Sequence, residues 1–274
     1  MIRLSAFADE ISQKPTEQVD VLSAHGIKHI EFRAIHGTNV LDLSDQQHEE
    51  FRDLLRSRGF GLSAIGSPIG KIKITESFDE HLTRFERALE LADFYDAPRV
   101  RIFSFYMPPG ADPAEHRAEL MARMTELTRR ATTRGITLLL ENEKGIYGDT
   151  AARVADVLET VASAFLVHAF DPANYLEVGQ SIDEAWARLF AHVKHFHVKD
   201  YDTKIHLNVP AGAGGGQIPR LITEAVAAGY NGFCVLEPHL VVAAQSFGYT
   251  GPERFADAAG ALKHILDEHS IAYS

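Results

Sequence analysis

Apolar positions along the chain follow two alternating rhythms. Short, nearly unbroken runs of Val, Ile, Leu and Phe read as strands buried on both faces. Longer stretches between them carry apolar residues at helical spacing and are bounded by capping residues and glycines. The runs predict strands at 3–8, 29–33, 60–66, 99–104, 136–141, 165–171, 193–199 and 232–237. Helices are predicted at 15–25, 44–58, 76–95, 112–134, 150–162, 181–190, 218–228 and 252–268. Pro15 and Gly26 bracket the first helix, Ser44 and Gly59 are the expected N-cap and stop of the second, and Asp149 or Thr150 is the expected cap of the fifth. Strand–helix units repeated in this way build either an open doubly wound sheet or a closed barrel. Eight units, with no GxGxxG run after the first strand, favour closure. The expected fold is α/β, a single (β/α)8 TIM barrel domain over 1–274.

Four of the later strands end in charge. The run GITLLLENE reaches Glu141, FLVHAFD reaches Asp171, VKHFHVKD carries His197 near its end and GFCVLEP reaches Glu237. These groups are spaced 30, 26 and 40 residues apart, one strand–helix unit each. Neighbouring strands lie about 4.8 Å apart, so ligands at four consecutive strand ends reach a single ion. Alternation along each strand agrees: Leu139 with Glu141, Val167 with Ala169 and Asp171, His195 with His197 and Lys199, and Val235 with Glu237 share faces. A lone strand-end carboxylate is most often a helix cap or a solvated group. Four at successive ends, on the side where barrel enzymes keep their chemistry, point to one divalent metal. Three carboxylates and an imidazole suit Mn²⁺, Mg²⁺ or Co²⁺, with Zn²⁺ also compatible.

Other residues are placed by the same pattern. Glu31 shares a face with His29 and Arg33 and is expected to point into the lumen, where Arg101 is its candidate partner, because buried charges need one. His195 is either a hydrogen-bonded core histidine or a group at the substrate. Lys199 holds a substrate oxygen or pairs with Asp200 or Glu237. Lys71 follows the third strand in the loop Ser67–Lys71. The run AGAGGGQ, at 211–217, is where close backbone approach to a ligand is expected.

The chain has 274 residues and is 45% hydrophobic, enough for a large core. Its apolar runs fall far short of the roughly 18 residues a membrane helix needs, and its start lacks a basic region followed by an apolar one. A cytoplasmic protein with no membrane partner is expected. The one cysteine, Cys234, sits in a predicted strand and reads as a small core residue. A net charge of −11 with no Lys/Arg cluster argues against nucleic acid as a partner.

LLLEN at Glu141, FDPAN at Asp171, FHVKD around His197 and Lys199, PAGAGGGQIP, and GFCVLEPHL around Glu237 together resemble the xylose-isomerase-like TIM barrel superfamily, and within it the sugar phosphate isomerase/epimerase group that includes ketose 3-epimerases and inosose dehydratases. SAFADEIS and IEFR add weaker support. The resemblance implies Glu141, Asp171, His197 and Glu237 as ligands of one divalent ion, Mn²⁺ foremost, and Glu141 and Glu237 as the acid/base pair that moves a proton next to a carbonyl. Such chemistry suits carboxylates on opposite sides of an enediolate. Glu143 loosely matches a second glutamate after the fifth strand, and Asn174 stands where the epimerases carry a histidine. These two, with Lys71, Lys199 and His195, are the expected substrate-binding residues for a small sugar or sugar phosphate. Barrels of this kind commonly associate into homo-oligomers through helices and loops.

The same ion supports a second reading, a dehydratase or eliminase on an inosose or 3-keto sugar, for which Tyr106, Lys204, His206 and His239 are candidate loop groups. A non-catalytic sugar-binding barrel is a third. The abasic-site DNA endonucleases of the superfamily need further histidines, at the Asn174 position and in an Asp-x-His pair where this chain has Asp200-Tyr201-Asp202. That departure and the acidic chain argue against them.

Overall fold

A computed structural model of the chain describes residues 1–241 and 248–274. Eight parallel strands close into a barrel: β1 (Arg3–Ala6), β2 (His29–Phe32), β3 (Gly61–Ile65), β4 (Arg99–Ile102), β5 (Thr137–Glu141), β6 (Leu166–Phe170), β7 (Val193–Val198) and β8 (Phe233–Leu236). They are hydrogen-bonded in sequence order, and β8 pairs back onto β1 in register from Arg3 opposite Phe233 to Ala6 opposite Leu236. The wall is surrounded by α1 (Pro15–Ala24), α2 (Asp45–Ser57), α3 (Phe78–Phe94), α4 (Arg117–Thr133), α5 (Ala151–Val161), a short α6 (Pro172–Glu177), α7 (Ile182–Leu189), α8 (Ile218–Ala227) and α9 (Gly251–Glu268). No described helix is long and apolar enough to cross a membrane.

Alternation along the strands sorts the core into two regions. Outward residues such as Leu4, Ile30, Phe32, Val100, Ile102, Leu138, Leu140, Phe196, Cys234 and Leu236 join the helices in one continuous buried cluster. Inward residues form two small ones, Phe7 with Phe233 and Val235, and Ala64 with Leu139 and Ala169. Most of the remaining lumen is polar, and that is what leaves room for charge at the strand ends. Cys234 is fully buried among the outward residues, where burial pushes its thiol up to about 12. It is a packing residue.

The helix boundaries follow local chemistry. Ser44 caps α2 in a reciprocal capping box with Gln47, and Gly59, just beyond the helix, takes the left-handed φ of +67°. Two expectations need correction. The stretch 112–134 is not one helix: Pro113–His116 forms a tight turn capped by Asp112 before α4 begins at Arg117. Thr150 does occupy the N-cap of α5, but its hydroxyl makes no capping hydrogen bond, and Asp149 pairs with Arg153 instead. Hydrophobic pattern also missed α6 and two small hairpins, Ala34–Ile35 with Thr38–Asn39 and Asp200–Asp202 with Leu207–Val209.

Candidate active site

The carboxyl ends of β5 to β8 bring four groups together. Glu141 ends β5, Asp171 directly follows β6, His197 lies one residue before the end of β7 and Glu237 directly follows β8. One ligand atom from each of these buried residues lies within 4.8 Å of the others. Asn142 fixes the neighbouring ends of β5 and β6, since its amide accepts from Asp171 N at 3.1 Å and donates to Asp171 O at 2.9 Å. Asp171 serves two purposes. Its Oδ1 caps α6 by accepting from Asn174 N at 3.0 Å, which leaves Oδ2 for the centre of the site.

Cations surround the set. Lys199 Nζ stands 2.7 Å from Asp171 Oδ2 and 3.8 Å from Glu237 Oε2. Arg101 Nη1 is 3.1 Å from Glu141 Oε2, and Arg33 Nη1 is 2.9 Å from Glu237 Oε1. His197 Nδ1 faces Glu141 Oε1 at 3.1 Å and Glu237 Oε2 at 3.5 Å. Burial pushes the Asp171 carboxyl up to about 7, against the pull of Lys199. Burial acts on Glu237 in the same sense, but Lys199 and the nearby histidines outweigh it and hold that carboxyl well below its ordinary range. For His197, burial is outweighed by Glu141 and Glu31, which raise the imidazole well above its usual value.

These residues fit a divalent cation. Glu141 Oε2, Asp171 Oδ2, Glu237 Oε2 and His197 Nδ1 are all buried without a well-formed hydrogen bond, on the four residues whose ligand atoms come within 4.8 Å of one another. Buried polar atoms left this way call for a charge between them. The donor set, three oxygens and one imidazole nitrogen, is that of a hard to borderline divalent ion.

Above the set opens a cleft of about 190 Å³, lined in part by Lys71, Glu143, Asn174, Lys199, Arg33 and His239. Lys71 and Glu143 pair across it at 2.8 Å. The Asn174 amide donates to Asn142 O at 2.8 Å and lies 3.5 Å from Glu141 Oε1. His239, at a left-handed φ of +47°, is held by Glu10, which accepts from its backbone N at 2.9 Å and faces its Nε2 at 3.1 Å. Burial lowers its imidazole, but Glu10 and Glu237 prevail and bring it up to about 9. Glu10 is fully buried and follows β1 in a tight turn, where no sequence signal marked it. Arg33 could have been found, since it shares the Glu31 face.

Three expectations meet a different geometry. Glu31 pairs with His195 at 2.7 Å and faces His197 at 3.4 Å, while Arg101 binds Glu141. His195 is fully buried below His197, away from the residues that line the cleft. Lys199 takes Asp171 as its near partner and leaves Asp200 to the glycine run. There the Asp200 carboxylate accepts from the backbone N of Gly212, Gly214 and Gly216 at 2.8, 3.0 and 2.8 Å. A Cβ at Gly214 would meet Asp200 Oδ1 at 2.4 Å. The close backbone approach expected at 211–217 is thus made to a carboxylate of the chain itself. Of the remaining loop candidates, Lys204 and His206 are exposed and Tyr106 is half-buried beside Ile146.

No curated protein matches the chain. Solved structures do. AsbF from Bacillus anthracis, described as the probable 3-DHS dehydratase of petrobactin synthesis, aligns at TM-score 0.76 and 17% identity, over 96% of this chain and 99% of its own. A D-tagatose 3-epimerase-like protein aligns at TM-score 0.76 and 16% identity, over 98% of each chain. A xylose isomerase-like TIM barrel protein from Mycobacterium smegmatis, in complex with magnesium, aligns at 0.73 and 19%, over 99% of this chain and 97% of that one. At such identities the likeness is one of fold. The sequence model of the xylose isomerase-like TIM barrel matches residues 19–265, nearly the whole barrel, and the chain belongs to that family.

Proposed function

We propose that the chain is a divalent-metal-dependent isomerase or epimerase of a small sugar or sugar phosphate, working by proton transfer next to a carbonyl. The observation that carries this reading is the convergence of four buried, incompletely satisfied ligand atoms beneath a polar cleft. Glu141, Asp171, His197 and Glu237 are the residues that would hold the ion, with Mn²⁺ or Mg²⁺ best suited to the set. A bound divalent ion supplies a Lewis acid that polarises the carbonyl and acidifies the adjoining C–H bond.

The chain's own residues do the rest. Glu141 and Glu237, from β5 and β8, are the proposed pair that removes and returns the proton. Arg101 faces Glu141 Oε2 and Arg33 binds Glu237 Oε1, which fixes the two carboxylates. Lys199, Asn174 and the Lys71–Glu143 pair line the cleft where sugar hydroxyls or a phosphate would lie.

One observation favours a second outcome. His239 stands over Glu237 at 3.6 Å, oriented by Glu10, where an imidazolium can protonate a leaving hydroxyl and turn proton removal into elimination. AsbF, which shares the fold, is described as a dehydratase. Incubation with Mn²⁺ and a panel of ketoses, inososes and 3-keto sugars in D₂O separates the two. Deuterium uptake with formation of an isomer or epimer of the substrate is the expected result, an unsaturated product would assign elimination, and neither with any substrate would refute both.

A further inference from the structure

Below His197 the lumen holds a chain of polar groups that touches neither the cleft nor a substrate. Arg99 of β4 lies near the amino-terminal end of the wall, and its Nη1 is 3.2 Å from His195 Nδ1. A guanidinium only donates, so His195 Nδ1 must accept. The proton of that neutral ring therefore sits on Nε2, which donates to Glu31 Oε2 at 2.7 Å. Glu31 Oε1 and His197 Nε2 each lack a hydrogen bond and face each other at 3.4 Å, a close electrostatic contact. All three side chains between Arg99 and the site are buried: Glu31 0%, His195 0% and His197 1% exposed. Phe7 packs edge-on against the His197 ring with centroids 5.2 Å apart, which limits its rotation.

We propose that Arg99, His195 and Glu31 form a positioning relay that holds His197 with its proton on Nε2 and presents the Nδ1 lone pair to the ion bound by Glu141, Asp171 and Glu237. The polarity of each contact is set from the far end. Arg99 can only give, His195 passes the polarity across its ring, and Glu31 as a carboxylate can only accept. His197 thus has one role available to each nitrogen. A carboxylate behind a ligating histidine orients the ring and raises its basicity, and loss of such a partner weakens metal binding about 10- to 100-fold. Glu31 and His195 are positioning residues, and the inference rests on the metal-dependent reading above.

The test begins with calorimetric titration of Mn²⁺ into stripped wild-type protein and into Glu31→Gln. The relay predicts one ion per wild-type chain and an affinity about 10- to 100-fold lower in Glu31→Gln. Arg99→Met, one link further back, should show a smaller loss of a few-fold. Equal affinity in wild type and Glu31→Gln would overturn the relay and leave the function reading standing. A second ion per wild-type chain that is lost in Glu31→Gln would overturn it as well, since Glu31 and His195 would then be ligands. A wild-type protein that takes up no ion would sink the metal-dependent reading and the relay with it.

A second arm needs no variant at that position and guards against a Glu31→Gln chain that does not fold. Long-range ¹H–¹⁵N spectra of the Zn²⁺-loaded wild type, with His197 assigned through His197→Gln, report which ring nitrogen is metallated. Coordination through Nδ1 with a proton on Nε2 is expected, and coordination through Nε2 would refute the proposal. A purely structural role for Glu31 would lower the melting temperature while leaving affinity and ring assignment unchanged.

Discussion

Replacing Lys199 by methionine separates the charge balance of the site from its packing. The ammonium is 5% exposed, 2.7 Å from Asp171 and 3.8 Å from Glu237. Methionine keeps most of the stem and removes the charge, so both carboxylates lose a buried partner. Breaking one side of a buried ion pair costs about 3–5 kcal/mol. Unfolding entropy of about 2.1 cal/mol/K per residue comes to roughly 0.6 kcal/mol/K for a chain of this length, so a 3 kcal/mol loss lowers the melting temperature by about 5 °C. That figure applies to metal-stripped protein. With Mn²⁺ at about 100 times its Kd, the wild type gains about 2.7 kcal/mol. Lys199→Met should gain more, because a divalent charge now answers the Asp171 carboxylate, whose paired cation has been removed. The expected result by differential scanning fluorimetry is a gap of about 5 °C without metal that shrinks to about 2 °C or less at saturating Mn²⁺. A gap of equal size in both conditions would show that lysine and ion do not answer the same carboxylates, and the assignment of Asp171 as a ligand would fall.

Further expectations follow from other parts of the structure. Glu237→Gln should fold, keep some metal affinity and lose solvent deuterium exchange by about 10²- to 10⁴-fold, and near wild-type exchange would remove Glu237 from the proton-transfer step. His81, 5% exposed, accepts from Gly70 N at 2.8 Å, and burial together with Arg84 and Arg123 lowers its imidazole to about 4. The folded state resists protonating it, so its contribution is whole above about pH 6.5 and is lost as pH falls toward 4, by about 2 kcal/mol at pH 5. His81→Gln, which can accept the same hydrogen bond without titrating, should recover much of that loss in urea midpoints compared at pH 7 and 5, and an unchanged pH slope would refute the assignment. Gly214→Ala should destabilise by about 1–3 kcal/mol through the lost Asp200 contacts, read in urea melts, and a neutral effect would mean that the run does not depend on Asp200.

Much of the site could be read in the sequence because it depends on two local regularities. Strand alternation put Glu141, Asp171, His197 and Glu237 on inward faces, and one strand–helix unit between each pair put them in neighbouring staves. Ser44 and Gly59 marked the ends of α2 for equally local reasons. What escaped notice depends on which side chains meet across the lumen. Glu31 and His195 are 164 positions apart, and nothing in the spacing of either distinguishes that pairing from one with Arg101. Likewise the partner of His239 is Glu10, 229 positions away. The glycine run is legible only in part for a related reason. Its composition announces a close approach and says nothing about which group is approached.

The way Asp200 closes that run changes how such barrels diversify. With its amides already engaged by an internal anion, the segment answers to folding, and substitutions in it are filtered by whether the chain still assembles. The positions that line the cleft, Lys71, Asn174 and His239, are then free of that constraint and can vary with the glycines held constant. Two chains sharing this run therefore need not share a substrate, whereas a chain that loses the aspartate after the lysine should lose the glycines with it.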